Sequence, residues 1–417
     1  MKTFIVVFIL LFFPLQVLAT DKEKDLLDSL VKEALMNSPL LKSMEFAIEE
    51  SEHRIPQSGA LPDPVISVGV VNESLDEFFT VGKMQMSKSD FGVKQMLPFP
   101  GKLKLKTDMA TYDTKKLKKG YEQKRLELVS MVRVMYYDLY GLQQEISLLE
   151  LKLKYLDVLE QTATSLYSTG ERSVNDVLMV QTQKYETIEM LEKLRGNLKK
   201  TEATLCQIIG RGKCDKFPEI EIVTLHQFYY KEDALMKYAL DNSKELDMLK
   251  LEIAGAGKNV ELMKKEVFPD VEIMANYSAR FSDEFLDMWE VYLSFPVPIF
   301  YEQKQKHGIL EAKSNVSKLT KDYEELSLKV KSMVISEMAQ IEASDRIIAL
   351  YREGLLEKAR LSADTAVTSY RNNTSGIESV IKTINTVINY ERKHVEAIME
   401  RERAIANIYV ITGGLAG

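Results

Sequence analysis

Pro98-Phe99-Pro100 and Pro296-Val297-Pro298 are one stretch met twice, and the long chain segment beyond each of them decides the fold. After Pro100 no proline occurs until Pro218, and after Pro298 none occurs at all. A proline costs about 3 kcal/mol inside a helix, so each Pro-free stretch predicts very long helices. Upstream of these stretches, Pro62-Asp63 returns as Pro269-Asp270, and Ala34-Leu35-Met36-Asn37-Ser38 returns as Ala239-Leu240-Asp241-Asn242-Ser243. Downstream, Ile208-Ile209-Gly210 answers Ile411-Thr412-Gly413. The spacing is roughly 200 residues throughout, too long for a solenoid repeat, so the chain is one unit written twice.

From Lys102 to Ser165 the pattern predicts a single helix. Leu142, Ile146, Leu149, Leu153 and Leu156 step by four and three, the seam spacing of a coiled coil. Some sixty residues at 1.5 Å each give on the order of 90 Å. Tyr167-Ser168-Thr169-Gly170-Glu171-Arg172-Ser173 breaks the pattern, with Ser173 placed as an N-cap and Asp176 three residues on as its capping-box partner. The helix then returns to Ile209. The second copy predicts one helix from Gln303 to Ser369, a turn at Arg371-Asn372-Asn373-Thr374-Ser375-Gly376, and a last helix from Ile377 to Ile411. A lone hairpin of this length cannot bury both its seam and its flanks, which calls for side-by-side assembly.

Between the helices each copy carries two strand-like runs. Val271, Ile273, Ala275, Tyr277 and Ala279 alternate with Glu272, Met274, Asn276, Ser278 and Arg280. Trp289, Val291, Leu293 and Phe295 alternate with Glu290, Tyr292 and Ser294. Val65 to Val71 and Phe91 to Leu97 behave similarly but less cleanly, with Lys94 on the polar face of the second run. Such strands suit either a sheet resting on a soluble core or an outer-membrane barrel. Four strands cannot close a barrel, whose minimum is about eight, and an open edge in lipid leaves backbone groups unpaired at several kcal/mol each. A membrane location therefore requires an oligomer that pools its strands, with Tyr277, Trp289 and Phe295 as candidates for an interfacial aromatic belt.

Residues 1–19 have the form of a signal peptide: Lys2 at the start, an apolar core from Phe4 to Phe13, and Val17-Leu18-Ala19 before the mature-looking Asp21-Lys22-Glu23-Lys24. The rest divides into a first helix-strand-strand-helix repeat over 20–210, a connector over 211–231, and a second repeat over 232–417. A net charge of −7 over 417 residues argues against nucleic acid as a partner. Cys206 and Cys214 flank Gly210-Arg211-Gly212, which leaves a local disulfide and a pair of free thiols both open. His53, His226, His307 and His394 are scattered singly, so neither a metal site nor a cofactor is expected. Of the nineteen methionines, Met84, Met86 and Met96 sit near the first strand pair. Thioethers bind Cu(I), but packing is the commoner use of methionine.

Helix, strand, strand, helix, written twice behind a signal segment, resembles the TolC-type outer-membrane efflux protein family. The resemblance rests on Leu61-Pro62-Asp63-Pro64 entering the first strand and Gln95-Met96-Leu97-Pro98-Phe99-Pro100-Gly101-Lys102 leaving the second. It rests also on Tyr167-Ser168-Thr169-Gly170 with Asp176-Val177-Leu178 and Gln181 at the first helical turn. The Pro-Phe-Pro-Gly-Lys exit is similar to members grouped with heavy-metal efflux systems. The resemblance implies a mainly α protein with a small β part. It implies a homotrimer in which twelve strands close a barrel in outer-membrane lipid and twelve helices form a periplasmic cylinder. It implies a passive duct, not an enzyme, for small solutes or metal ions, partnered by a periplasmic adaptor and an inner-membrane pump. Gly170 and Asn373 then mark the adaptor-docking and gating turns, with Asp176 and Glu378 as acids at the entrance. An exported coiled-coil scaffold or adhesin, and a duct for protein secretion, are the alternatives.

Overall fold

A computed structural model describes residues 16–77, 79–214, 216–220, 225 and 228–415. The expected signal segment, 1–19, lies mostly outside the described residues, as does part of the 211–231 connector. The chain forms two compact units.

One unit comprises Ser43–Tyr121 and Lys244–Leu328. It holds most of α2 (Pro39–Gly59), then β1 (Val65–Val71), β2 (Lys88–Leu97) and the start of α3 (Lys102–Ser168). It continues with α6 (Lys244–Lys265), β3 (Val271–Ala279), β4 (Met288–Ser294) and the start of α7 (Gln305–Leu350). The strands form one antiparallel sheet in the order β1-β2-β3-β4, so the two copies meet where β2 pairs with β3. In that pairing Phe91 faces Tyr277 and Leu97 faces Val271. β1 and β4 are the open edges, and all seven residues of β1 are exposed.

The residues of the Pro-Phe-Pro-Gly-Lys exit are accounted for at this junction. The Lys102 side chain is 3% exposed and donates to Asp270 Oδ1 at 2.8 Å, the Phe268 carbonyl at 3.0 Å and Glu266 Oε2 at 3.2 Å. The Phe99 N–H also donates to Asp270 Oδ1, at 2.7 Å, and the Phe99 ring stacks on Phe268 at 4.6 Å. Burial works against the charge of Asp270, but Lys102 and the Phe99 N–H outweigh it and hold the carboxyl below the ordinary carboxylate range. Gly101 takes φ +89°, and Lys265 donates to the Pro100 carbonyl at 2.9 Å. An L side chain there would be strained and would meet Lys265. The strand exit of the first copy is thus bolted to the strand entry of the second.

The other unit comprises Met1–Lys42, Glu122–Ser243 and Lys329–Gly417. Its elements are α1 (Gln16–Asn37), the remainder of α3, α4 (Val174–Ile208), α5 (Glu232–Asn242), the end of α7, α8 (Leu356–Arg371) and α9 (Ile377–Ile411). α3 is a single helix of 67 residues, as its spacing predicts. Its second-copy counterpart is not the single helix expected from Gln303 to Ser369. A π-helical turn, Tyr351–Leu355, separates α7 from α8, with Gly354 off helical geometry inside it. A glycine and a π-turn are recognised causes of a break in the helical ladder.

Cys206 and Cys214 are joined by a disulfide with Cα atoms 5.7 Å apart. Beside it Arg211 donates to both carboxylate oxygens of Glu33 at 2.7 Å, which lowers the Glu33 pKa. Gln143 accepts from the Ile220 N–H at 2.9 Å and donates to the Pro218 carbonyl at 3.1 Å. These bonds strap the described part of the connector onto α3.

Candidate functional site: an amphipathic sheet and two helical tips

The sheet separates apolar from polar side chains strand by strand. On one face Val68, Phe91, Tyr277 and Trp289 stand opposite one another across four strands, followed by the row Ile66, Val93, Ala275 and Val291. Val68, Phe91, Tyr277 and Trp289 are exposed, Trp289 at 77%. On the other face Lys94 pairs with Glu272 at 3.2 Å, Lys88 with Asp90 at 3.4 Å, and the Tyr292 hydroxyl donates to Glu290 at 2.8 Å. Met96 and Met274 also lie on this polar face. A soluble sheet of one layer does not leave a bare apolar face of this breadth. Phe91, Tyr277 and Trp289 make one aromatic row toward the strand-connecting loops, and Phe295 stands at the opposite end, just past β4. Among the described residues no helix is long and apolar enough to cross a membrane.

The two helical turns are near-replicas. At the first, the Gly170 N–H bonds to the Tyr167 carbonyl and the Glu171 N–H to the Leu166 carbonyl; at the second, the Asn373 N–H bonds to Tyr370 and the Thr374 N–H to Ser369. Gly170 and Asn373 take φ +75° and +59°, the left-handed region that glycine enters freely and asparagine tolerates. Ser173 caps α4 by accepting from the Asn175 N–H at 3.2 Å.

The capping-box role expected of Asp176 is not what its side chain does. Its carboxylate accepts from the Tyr370 hydroxyl at 3.1 Å instead. Arg172 lies over the Tyr370 ring at 5.3 Å and donates to the Ser375 carbonyl at 2.5 Å. Tyr370 is fully buried among Leu156, Leu159, Val180, Ile377 and Ile384. That burial, with the bond to Asp176, pushes its pKa up to about 12. One tip is thereby tied to the other through Arg172, Asp176 and Tyr370. Tyr370 does not stand out in the sequence as a functional residue, although it is the counterpart of Tyr167 in the repeat, because nothing near it shows which acid its hydroxyl will meet. Gln181, singled out at the same turn, donates to Glu160 at 2.8 Å and, with Lys184, lowers the Glu160 pKa.

Glu378 is exposed and does not join this network. It lines a groove of about 850 Å³ between α4 and α9, with Leu178, Met179, Gln183, Ile381 and Lys382. The groove alternates amides, one acid and one lysine with apolar side chains. Among the described residues no group of three or more His, Cys, Asp and Glu is placed to hold a metal.

Among solved structures, the chain is similar to CusC, studied for its transmembrane channel formation, at 15% identity over 93% of this chain and 92% of that one, with a TM-score of 0.77. It is similar to the outer membrane protein VceC of Vibrio cholerae at 14% identity, covering 94% and 96%, with a TM-score of 0.76. The open-state MtrE outer membrane channel of Neisseria gonorrhoeae gives 14% identity, 93% and 89% coverage, and a TM-score of 0.76. At such identities the likeness is one of fold. In sequence the chain is 22% identical to the outer membrane efflux protein BepC of Brucella suis biovar 1 (strain 1330) over 237 residues, 56% of this chain and about half (51%) of that relative. The model of the outer membrane efflux protein family matches residues 30–211 and 235–414, both copies of the repeat, and the chain belongs to that family.

Proposed function

We propose that the protein is the outer-membrane duct of a tripartite efflux system, a passive exit for small solutes or metal ions. The observation that carries this reading is the four-stranded sheet with one bare apolar face, one polar face and two open edges. Such a sheet is stable in lipid only when copies close it into a barrel, and three copies supply twelve strands. The apolar face then meets lipid, with Phe91, Tyr277 and Trp289 at one interface. The polar face, with Lys94, Glu272 and Glu290, lines water.

The tips supply the entrance. The Arg172–Tyr370–Asp176 network holds the two hairpins of one chain together, which suits a closed state, and breaking it frees them to part. The groove beside Glu378 offers a periplasmic adaptor a helix-sized seat, and an inner-membrane transporter supplies the energy that the duct lacks. Acids at a narrow entrance favour cations. The test is planar-bilayer recording. Tyr370→Phe raises open probability if the network is a latch, and replacing Asp176 and Glu378 together by alanine weakens cation selectivity. Unchanged currents in both variants reduce these residues to ordinary helix-end packing.

A further inference from the structure

The duplicated strand motifs meet each other once within the chain and recur unpaired at its two open sheet edges. Within one chain the β2 exit and the β3 entry are locked by Asp270, which accepts from the Phe99 N–H, and by the Phe99–Phe268 stack. The same motifs recur at the open edges: Pro296-Val297-Pro298 leaves β4, and Leu61-Pro62-Asp63 enters β1. There Asp63, Leu61 and Val297 are exposed, Leu61 and Val297 at 54% and 64%. Asp63 has no hydrogen-bonding or ion-pairing partner among the described residues of its own chain.

We infer that β4 of one copy pairs with β1 of a second copy in the register of β2 on β3, with Asp63 accepting from the Val297 N–H and Leu61 packing on Val297. This rests on the trimeric barrel proposed above. Transferring the register of the internal seam, motif on motif, sets Trp289 opposite Val70, Val291 opposite Val68, and Leu293 opposite Ile66. Every apolar residue meets an apolar one on the lipid face, and Tyr292 meets Ser67 on the polar face. A slip of one residue reverses every strand face, so this agreement is not guaranteed by the motif match. The hairpins could not have supplied the register. Aligned on the same motifs they differ by two residues: Val65 faces Lys94, whereas its counterpart Glu272 faces Ser294 and not Tyr292.

The second seam is also built differently. Phe300 stands where Lys102 stands in the first copy, so the inter-copy lock lacks the buried cation and relies on Asp63 and apolar contact. The seam within the chain forms as the chain folds, while the one between copies forms on assembly, when a buried unpaired ammonium would be a hazard.

Paired cysteines test the register. Residues directly opposite have Cβ atoms about 4.5–5.5 Å apart and diagonal ones about 7–8 Å, while a disulfide needs about 3.5–4.5 Å. Ser67→Cys with Tyr292→Cys, oxidised in detergent-extracted protein, gives covalent trimers on non-reducing gels. It does so several-fold more efficiently than Val65→Cys or Gly69→Cys with Tyr292→Cys. Each single-cysteine variant is first checked for trimers by native mass, so a folding failure is not mistaken for a wrong register. Stronger cross-linking at 65 or 69 overturns the register. No cross-link at any of the three pairs, with three copies still present by native mass, overturns the β4–β1 seam and leaves the trimer standing. Monomers in the uncrosslinked wild type would instead remove the proposed barrel itself. Asp63→Ala supplies a second readout: it lowers the temperature at which trimers dissociate and leaves the β2–β3 junction unchanged.

Discussion

A double-mutant cycle at Lys102 and Asp270 asks whether the junction between the two copies is a coupled lock. Lys102→Met keeps the bulk of the stem and deletes three hydrogen bonds, to Asp270, Glu266 and the Phe268 carbonyl. Hydrogen bonds to charged groups contribute about 1.5–3 kcal/mol each when buried. Here Asp270 and Glu266 are 31% and 40% exposed and regain water, and the desolvation cost of the ammonium disappears. The expected loss is about 1–2 kcal/mol. Asp270→Ala is worse despite deleting a smaller group. It leaves the Phe99 N–H without its acceptor and strips the nearest counter-charge from an ammonium that is 3% exposed. About 3 kcal/mol is expected, the lower end of the range for breaking a buried pair. The double variant no longer contains the stranded ammonium, so it costs about 1.5–2 kcal/mol less than the sum of the singles. Hydrogen exchange of the β2 and β3 ladder amides in detergent reads the local opening free energy directly. Costs that add to within about 0.5 kcal/mol refute the lock and make Lys102 a surface-like cation that happens to be covered.

The same geometry sets four further outcomes. Replacing Cys206 and Cys214 by serine removes the closure of a loop with a sequence separation of eight, worth about 2.5 kcal/mol in the chain-entropy picture, and increases proteolysis at the 211–220 strap. Tyr370→Phe costs about 0.5–1.5 kcal/mol through the lost bond to Asp176, read as a lower melting temperature of the helical unit. Because the folded-state pKa of Tyr370 is raised to about 12, its contribution is complete below the unfolded value near 10 and is lost as pH rises through about 12; circular dichroism between pH 9 and 12 tracks this loss, and Tyr370→Phe flattens it. His394 is shifted the other way, by burial against Tyr351 with Arg352 and Arg360 nearby, against an opposing pull from Glu391; its contribution is complete above pH 6.5 and declines below it, so His394→Gln lessens the acid sensitivity of the α7–α9 region.

The long elements were legible because their signals are local. Proline exclusion and four-three spacing mark α3 and α9 to within a few residues, and alternation marks β3 and β4 cleanly and β1 more loosely, with Val65 and Val71 on the face of Ser67 and Gly69. The turn residues Gly170 and Asn373 were legible for the same reason, since a left-handed backbone restricts residue type at one position. What was missed depends on partners far away in sequence. Asp176 looks like a capping-box acid until Tyr370, 194 residues on, is brought beside it by the antiparallel hairpins. Lys102 looks like an ordinary helix-starting lysine until Asp270 closes over it. The π-turn at Tyr351–Leu355 was hidden because Gly354 alone, in an otherwise regular helical pattern, is compatible with a straight helix at about 1 kcal/mol. Met96 on the polar face, and the separation of Asp176, bonded to Tyr370, from Glu378, which lines the α4–α9 groove, likewise needed the register and the packing.

Native mass measurement of detergent-extracted protein tests most directly whether this chain pools its strands with those of other copies to make a membrane duct. Three chains per particle, stable only with detergent present, is the predicted result. A monomer that stays in solution without detergent would contradict it, because the open β1 and β4 edges and the bare face around Trp289 would then have to be stable in water.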